Sequence, residues 1–172
     1  MATLSLADLV LSTFSKGLDV FAHILARAKE DAEERGIDVE SLVEARIVED
    51  QNPLSFQVHF ASQVVRNNLG RLAGEEATPL ESELKTFADL QKHIQDTIEI
   101  LKSFNAEKAK GREGTEVNIR FRSQEHAITL QEMELNHALP NLFFHLTTAY
   151  SILRVKGVPL GKKDYLGGFL GK

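Results

Sequence analysis

The chain has 172 residues, 42% hydrophobic and 26% charged, which is enough for one domain with a real core. It has no cysteine, so disulfides, thiolate nucleophiles and thiolate metal sites are excluded. Its net charge of -5 suits phosphate neutralisation poorly, so neither nucleic acid nor an anionic membrane is an expected partner.

The N-terminus lacks a charged segment ahead of its first apolar stretch, which Asp8 interrupts, so no signal peptide is expected. There is no continuous apolar run of ~18 residues, so no membrane span is expected either. The expectation is a cytoplasmic protein with a single domain over 1–172.

Residues 6–35 predict a long first helix. Leu11, Phe14, Leu18, Phe21, Leu25, Ala28 and Ala32 recur at spacings of three and four, which puts them on one stripe. Gly36 is the expected stop. Asp38 or Ser41 can cap a short helix before Asn52-Pro53, a boundary because the residue before proline avoids helical geometry. A second long helix is expected over 53–72, with Leu54, Val58, Ala61, Val65, Leu69 and Leu72 on one face and Gly74 ending it. A third is expected over 81–104, with Leu84, Phe87, Leu90, Ile94, Ile98, Leu101 and Phe104 as its stripe.

The period then changes. Val117, Ile119 and Phe121 alternate with Asn118, Arg120 and Arg122, which predicts a short strand, paired in a hairpin with 126–129. Thr129 and Glu132 form a capping-box pattern for a short helix. Pro140 is expected to open the fourth long helix, 141–155, which is apolar nearly all round and so reads as central. The tail 161–168 is too glycine-rich to predict a helix. The expected fold class is all-α, an antiparallel four-helix bundle with a small hairpin inserted before the last long helix.

Of the six histidines, His145 is the one the helical wheel places in the interior, with Asn141 and Thr148 on the same face. A buried imidazole needs a partner, and Asn141, Thr148 or a facing polar group can supply it. Gln57 and Asn68 flank the apolar stripe of the second helix and reach toward the interior. His59, His23 and His93 are expected on the surface. Glu134 and His137 have a Glu-x-x-His spacing, but it falls just before Pro140, and it is given little weight. No hydrolase elbow, phosphate-cradling loop or dinucleotide fingerprint is present. The candidate ligand-binding set is therefore His145, Gln57, Thr148 and Asn141, around a small apolar molecule. No catalytic residue is assigned. No cofactor is expected, with a divalent metal kept as the alternative.

The stretch from Pro140 to Gly167, PNLFFHLTTAYSILRVKGVPLGKKDYLG, resembles the signature of an uncharacterised helical-bundle family, a domain of unknown function similar in fold to the DinB-like bundles. Glu44–Ile47, Phe56–Val58, Leu72–Gly74 and Thr86–Leu90 fit the same pattern. The resemblance implies an antiparallel four-helix bundle able to form a homodimer. DinB-like proteins often hold a divalent metal on three histidines, one from the second helix and two from the fourth, and some are metal-dependent thiol transferases. Here the fourth helix offers His145 alone, and Gln57 stands at the inward position of the second. A DinB-like enzyme, or an accessory protein acting on an apolar metabolite, is the alternative to a plain binding module. Arg154, Lys162 and Asp164 are expected to pin the tail back onto the bundle by charge-assisted bonds, and the tail so ordered is expected to cover one end of a pocket near His145.

Overall fold

The computed structural model describes residues 4–77 and 83–171. The protein is mostly helical, with one small hairpin. Helix α1, Leu6–Arg35, begins at a capping box. The Asp8 N–H donates to Ser5 Oγ at 3.1 Å, and the Ser5 N–H donates to the Asp8 carboxylate at 3.2 Å. It ends where Gly36, at φ 64°, adopts the left-handed conformation that the sequence predicts. By length and composition α1 is apolar enough to cross a membrane. Its stripe, from Val10 and Phe14 through Phe21, Leu25 and Ala28, is instead buried against the helices described next.

Helix α2, Leu54–Ala73, follows Pro53 and packs on both α3, Phe87–Ser103, and α5, Leu139–Val155. Helix α3 starts six residues later than the sequence suggests. Thr86 and Asp89 form a second capping box there, and the Phe87 N–H donates to Glu40 at 2.8 Å. The proposed start at Glu81 lies outside the described residues, and 83–86 are not helical.

The hairpin is present. Strand β1, Glu116–Phe121, pairs antiparallel with β2, Gln124–Thr129, in the register Val117 to Ile128 and Ile119 to His126. Arg122 and Ser123, at φ 48° and 66°, make the two-residue turn that matches the twist of paired strands. The Leu130 and Gln131 N–H groups donate to the Thr115 and Glu113 carbonyls, tying the hairpin to the short helix α4, Leu130–Met133.

A π-helical turn, Glu134–Ala138, joins α4 to α5, so the helix runs through the point where Pro140 was expected to open it. Pro140 has no N–H to donate, and its ring crowds the carbonyl four residues back. Widening the preceding turn relieves that conflict: the Leu139 N–H reaches the Glu134 carbonyl, a five-residue bond. Helix α5 is less enclosed than its composition suggests, since Phe144 is 62% exposed.

The tail contradicts the sequence reading outright. Lys162–Leu170 is a helix, α6, packed on α1. Helical propensity is a weak prior that docking overrides, and here the glycines permit the docking. A Cβ on Gly168 would lie 2.7 Å from Val20 Cγ2. The Asp164 carboxylate pairs with His23 at 2.9 Å, the Tyr165 hydroxyl hydrogen-bonds with Thr147 at 3.1 Å, and the Phe169 ring meets Phe143. Gly168→Val is expected to force α6 off α1 and to lower stability by about 1–3 kcal/mol. A thermal melt and faster proteolysis of the tail would show it; an unchanged melt would refute the tight contact.

Candidate functional site

The Asn52-Pro53 stop leaves the Asn52 carbonyl at the mouth of α2, one turn before Gln57. The Gln57 amide Nε2 donates to that carbonyl at 3.0 Å. A carbonyl only accepts, so the amide orientation is fixed and Gln57 Oε1 must face the other way. There it lies 2.8 Å from Nδ1 of His145 on α5. An amide oxygen also only accepts, so Nδ1 carries the hydrogen, and the neutral ring keeps its lone pair on Nε2. Burial alone pulls the His145 imidazolium from its ordinary 6.5 down to about 4, so the ring is uncharged at neutral pH.

Three phenyl rings surround this imidazole. Phe56 and Phe60 of α2 have their centroids 6.2 and 5.8 Å away, and Phe144 meets it edge-on at 5.4 Å. Phe60 also contacts His59 edge-on at 5.3 Å, and His59 stacks on His93 of α3 at 5.7 Å. An open cavity of about 290 Å³ lies beside this row, lined by Pro53, Ser55, Phe56, His59 and Leu84.

Of the residues singled out in the sequence, His145 and Gln57 come together. Asn141 and Thr148 are half-buried on α5, and the Nδ1 partner of His145 is the facing Gln57 rather than either of them. His93, expected on the surface, is only 5% exposed. It lies one turn before Thr97, whose hydroxyl donates to the His93 carbonyl at 2.8 Å, on the edge of α3 that α2 covers. Burial, then the neighbouring His59 and Arg66, hold its pKa down to about 4. The tail was expected over the His145 pocket. The α6 contacts above go instead to Val20 and His23 of α1 and to Phe143, Thr147 and Tyr150 of α5. The cavity lining contains none of its residues.

A three-histidine metal set does not fit these side chains. Among the described residues no group of three or more histidines and carboxylates could hold an ion. Where a second ligand would face His145 there is an amide already committed to Nδ1, and the phenyl ring of Phe60 packs against both His145 and His59.

The sequence from residue 6 to residue 166 matches the family model described as Domain of unknown function (DUF1993). The chain belongs to this family. A solved relative, the crystal structure of a DinB family member protein from Shewanella denitrificans, shares 35% identity. The match covers 94% of this chain and 92% of that one, with a TM-score of 0.86. No curated protein matches. For this DUF1993 member the resemblance seen in the sequence therefore holds, and the fold is DinB-like.

Proposed function

We propose that this DUF1993 domain is an antiparallel four-helix bundle of α1, α2, α3 and α5 that binds a small, neutral, planar molecule beside His145. The observation that carries the reading is the oriented imidazole: Gln57 holds its Nδ1–H, so a lone pair on Nε2 is available within an aromatic row. Phe56 belongs both to that row and to the neighbouring cavity, so a ring seated there meets π-faces. Among the described residues, those lining the cavity include no acidic, Lys or Arg side chain, which favours an uncharged ligand. The volume of about 290 Å³ suits a one- or two-ring molecule. A larger depression of about 370 Å³ is lined in part by the charged residues Arg66, Glu75, Glu76 and Lys108, of which Lys108 and Glu75 pair with each other at 2.6 Å, so it suits a neutral ring less well.

The alternative is an enzyme that uses His145 as a general base. A base works best with a pKa near the operating pH, and one near 4 accepts protons poorly at neutrality. Hydrogen-bond acceptance needs only the lone pair, so binding is the better-supported role.

Phenol, indole and toluene separate the donor requirement from simple apolar burial. Phenol and indole are expected to shift the NMR signals of His145, Phe56 and His59 and to bind roughly tenfold more tightly than toluene, the worth of one hydrogen bond. His145→Phe should remove that preference while the fold survives. Equal affinities for all three probes, or shifts confined to other surfaces, would defeat the proposal.

A further inference from the structure

Helices α2 and α5 face each other along a seam with a second polar level. Gln57 meets His145. Eleven residues further along α2 is Asn68, and eleven residues before His145 is Glu134. In antiparallel helices these positions fall at the same height, ~16 Å from the first pair. Asn68 is buried and donates its amide to the Val64 carbonyl at 2.7 Å, while its oxygen accepts from the Arg71 guanidinium at 3.0 Å. Glu134 is 0% exposed, and neither of its carboxylate oxygens has a hydrogen-bond partner. It opens the π-helical turn, and His137, three residues on in the same turn, has a buried Nδ1 that is also without a partner.

A bare carboxylate at such a position is costly, because nothing there replaces the water it gave up. A cation does not fit the level, since the Arg71 charge faces it. A proton does fit. We propose that Glu134 is a buried proton-binding site of the α2–α5 seam, neutral in the resting fold, whose ionisation draws the Arg71 guanidinium from Asn68 and reshapes the π-helical turn. The proton leaves the carboxyl oxygen for solvent, and the carboxylate takes Arg71 as its ion-pair partner.

The other charged and titratable groups near the turn do not supply that role. His137 lies in the turn itself, and burial, followed by the Arg71 charge, holds its pKa down. On α4, Glu132 is exposed and accepts from the Thr129 N–H and hydroxyl. On α5, His145 is committed to Gln57, and Tyr150 and Arg154 lie further along the helix. Arg71 is the charged group on α2 that acts on both Glu134 and His137. Burial pushes the Glu134 carboxyl up from 4.5 to about 8, and Arg71 restrains that rise.

Glutamate labelled with carbon-13 at the side-chain carboxyl tests this in the intact protein. One carboxyl signal is expected to titrate near pH 8, to be absent from Glu134→Gln, and to move to higher pH in Arg71→Gln. The Asn68 side-chain amide protons should shift with the same midpoint in the wild type and stay still in Glu134→Gln. If every glutamate titrates below pH 6, the proton site does not exist; this reading needs only the wild-type protein. If the signal near pH 8 appears but the Asn68 amide is unmoved, or Arg71→Gln leaves the midpoint in place, the exchange of Arg71 between partners is wrong.

Discussion

Folding stability is expected to peak near pH 6.5 and to fall on both sides. The acid side comes from His145 and His93. Each is held from 6.5 down to about 4 by burial, so the unfolded chain takes up protons that the fold refuses. Their contribution is complete above 6.5 and is lost as pH falls through 4, about 3 kcal/mol for each. The alkaline side comes from Glu134, whose folded value is raised from 4.5 to about 8, so the fold holds a proton that the unfolded chain releases. Its contribution is complete below 4.5 and is lost as pH rises through 8. Between 4.5 and 6.5 the two effects oppose, and two histidines outweigh one carboxyl. The net expectation is a loss of about 4 kcal/mol from pH 6.5 to 4, and of about 2 kcal/mol from pH 6.5 to 8. Urea unfolding across this range measures both limbs. His145→Phe and His93→Phe should each flatten the acid limb, and Glu134→Gln the alkaline one. Stability that climbs steadily to pH 8, or an acid limb untouched by both histidine variants, would contradict the assignment of these groups as buried and neutral.

The parts of this molecule that were legible in the sequence are those decided within one element. The stripe of α1 and its stop at Gly36 follow from helical period and glycine geometry alone. The alternation from Val117 to Phe121 announced β1, although Arg122 and Ser123 are not the residues expected in its turn. His145 was legible because it interrupts the most apolar helix of the chain. Its partner was not, because a helical wheel carries no information about the axial register of two helices. Gln57, rather than Asn141 or Thr148, faces it only once α2 and α5 are packed. His93 lies at the edge of its stripe, where the breadth of the neighbouring helix decides burial. The helix α6 was hidden for the opposite reason: glycines that weaken it in isolation allow it to sit on Val20, and tertiary contact supplies what local propensity lacks. The π-helical turn has a local cause in Pro140, but relating the two requires knowing that the helix continues past the proline.

Gln57→Leu is expected to cost about 2–3 kcal/mol, more than loss of one surface hydrogen bond would, because it leaves the buried His145 Nδ1–H without an acceptor. The Asn52 carbonyl loses a donor as well, but Asn52 is exposed and water can replace it. The penalty therefore sits mainly on the imidazole, and a double-mutant cycle can locate it. His145→Phe alone strands the Gln57 oxygen and should cost a similar amount. Gln57→Leu combined with His145→Phe removes both polar partners and leaves apolar groups of similar shape, so the pair should cost well under the sum of the single changes. The expected coupling is about 2 kcal/mol, read from urea midpoints at pH 7, where His145 is uncharged. Strict additivity would mean that the two side chains do not depend on each other, and the oriented Nε2 lone pair would lose its structural basis. The cycle also separates orientation from polarity: Gln57→Leu keeps the imidazole but frees its ring to turn, so phenol should lose its advantage over toluene even where the protein remains folded.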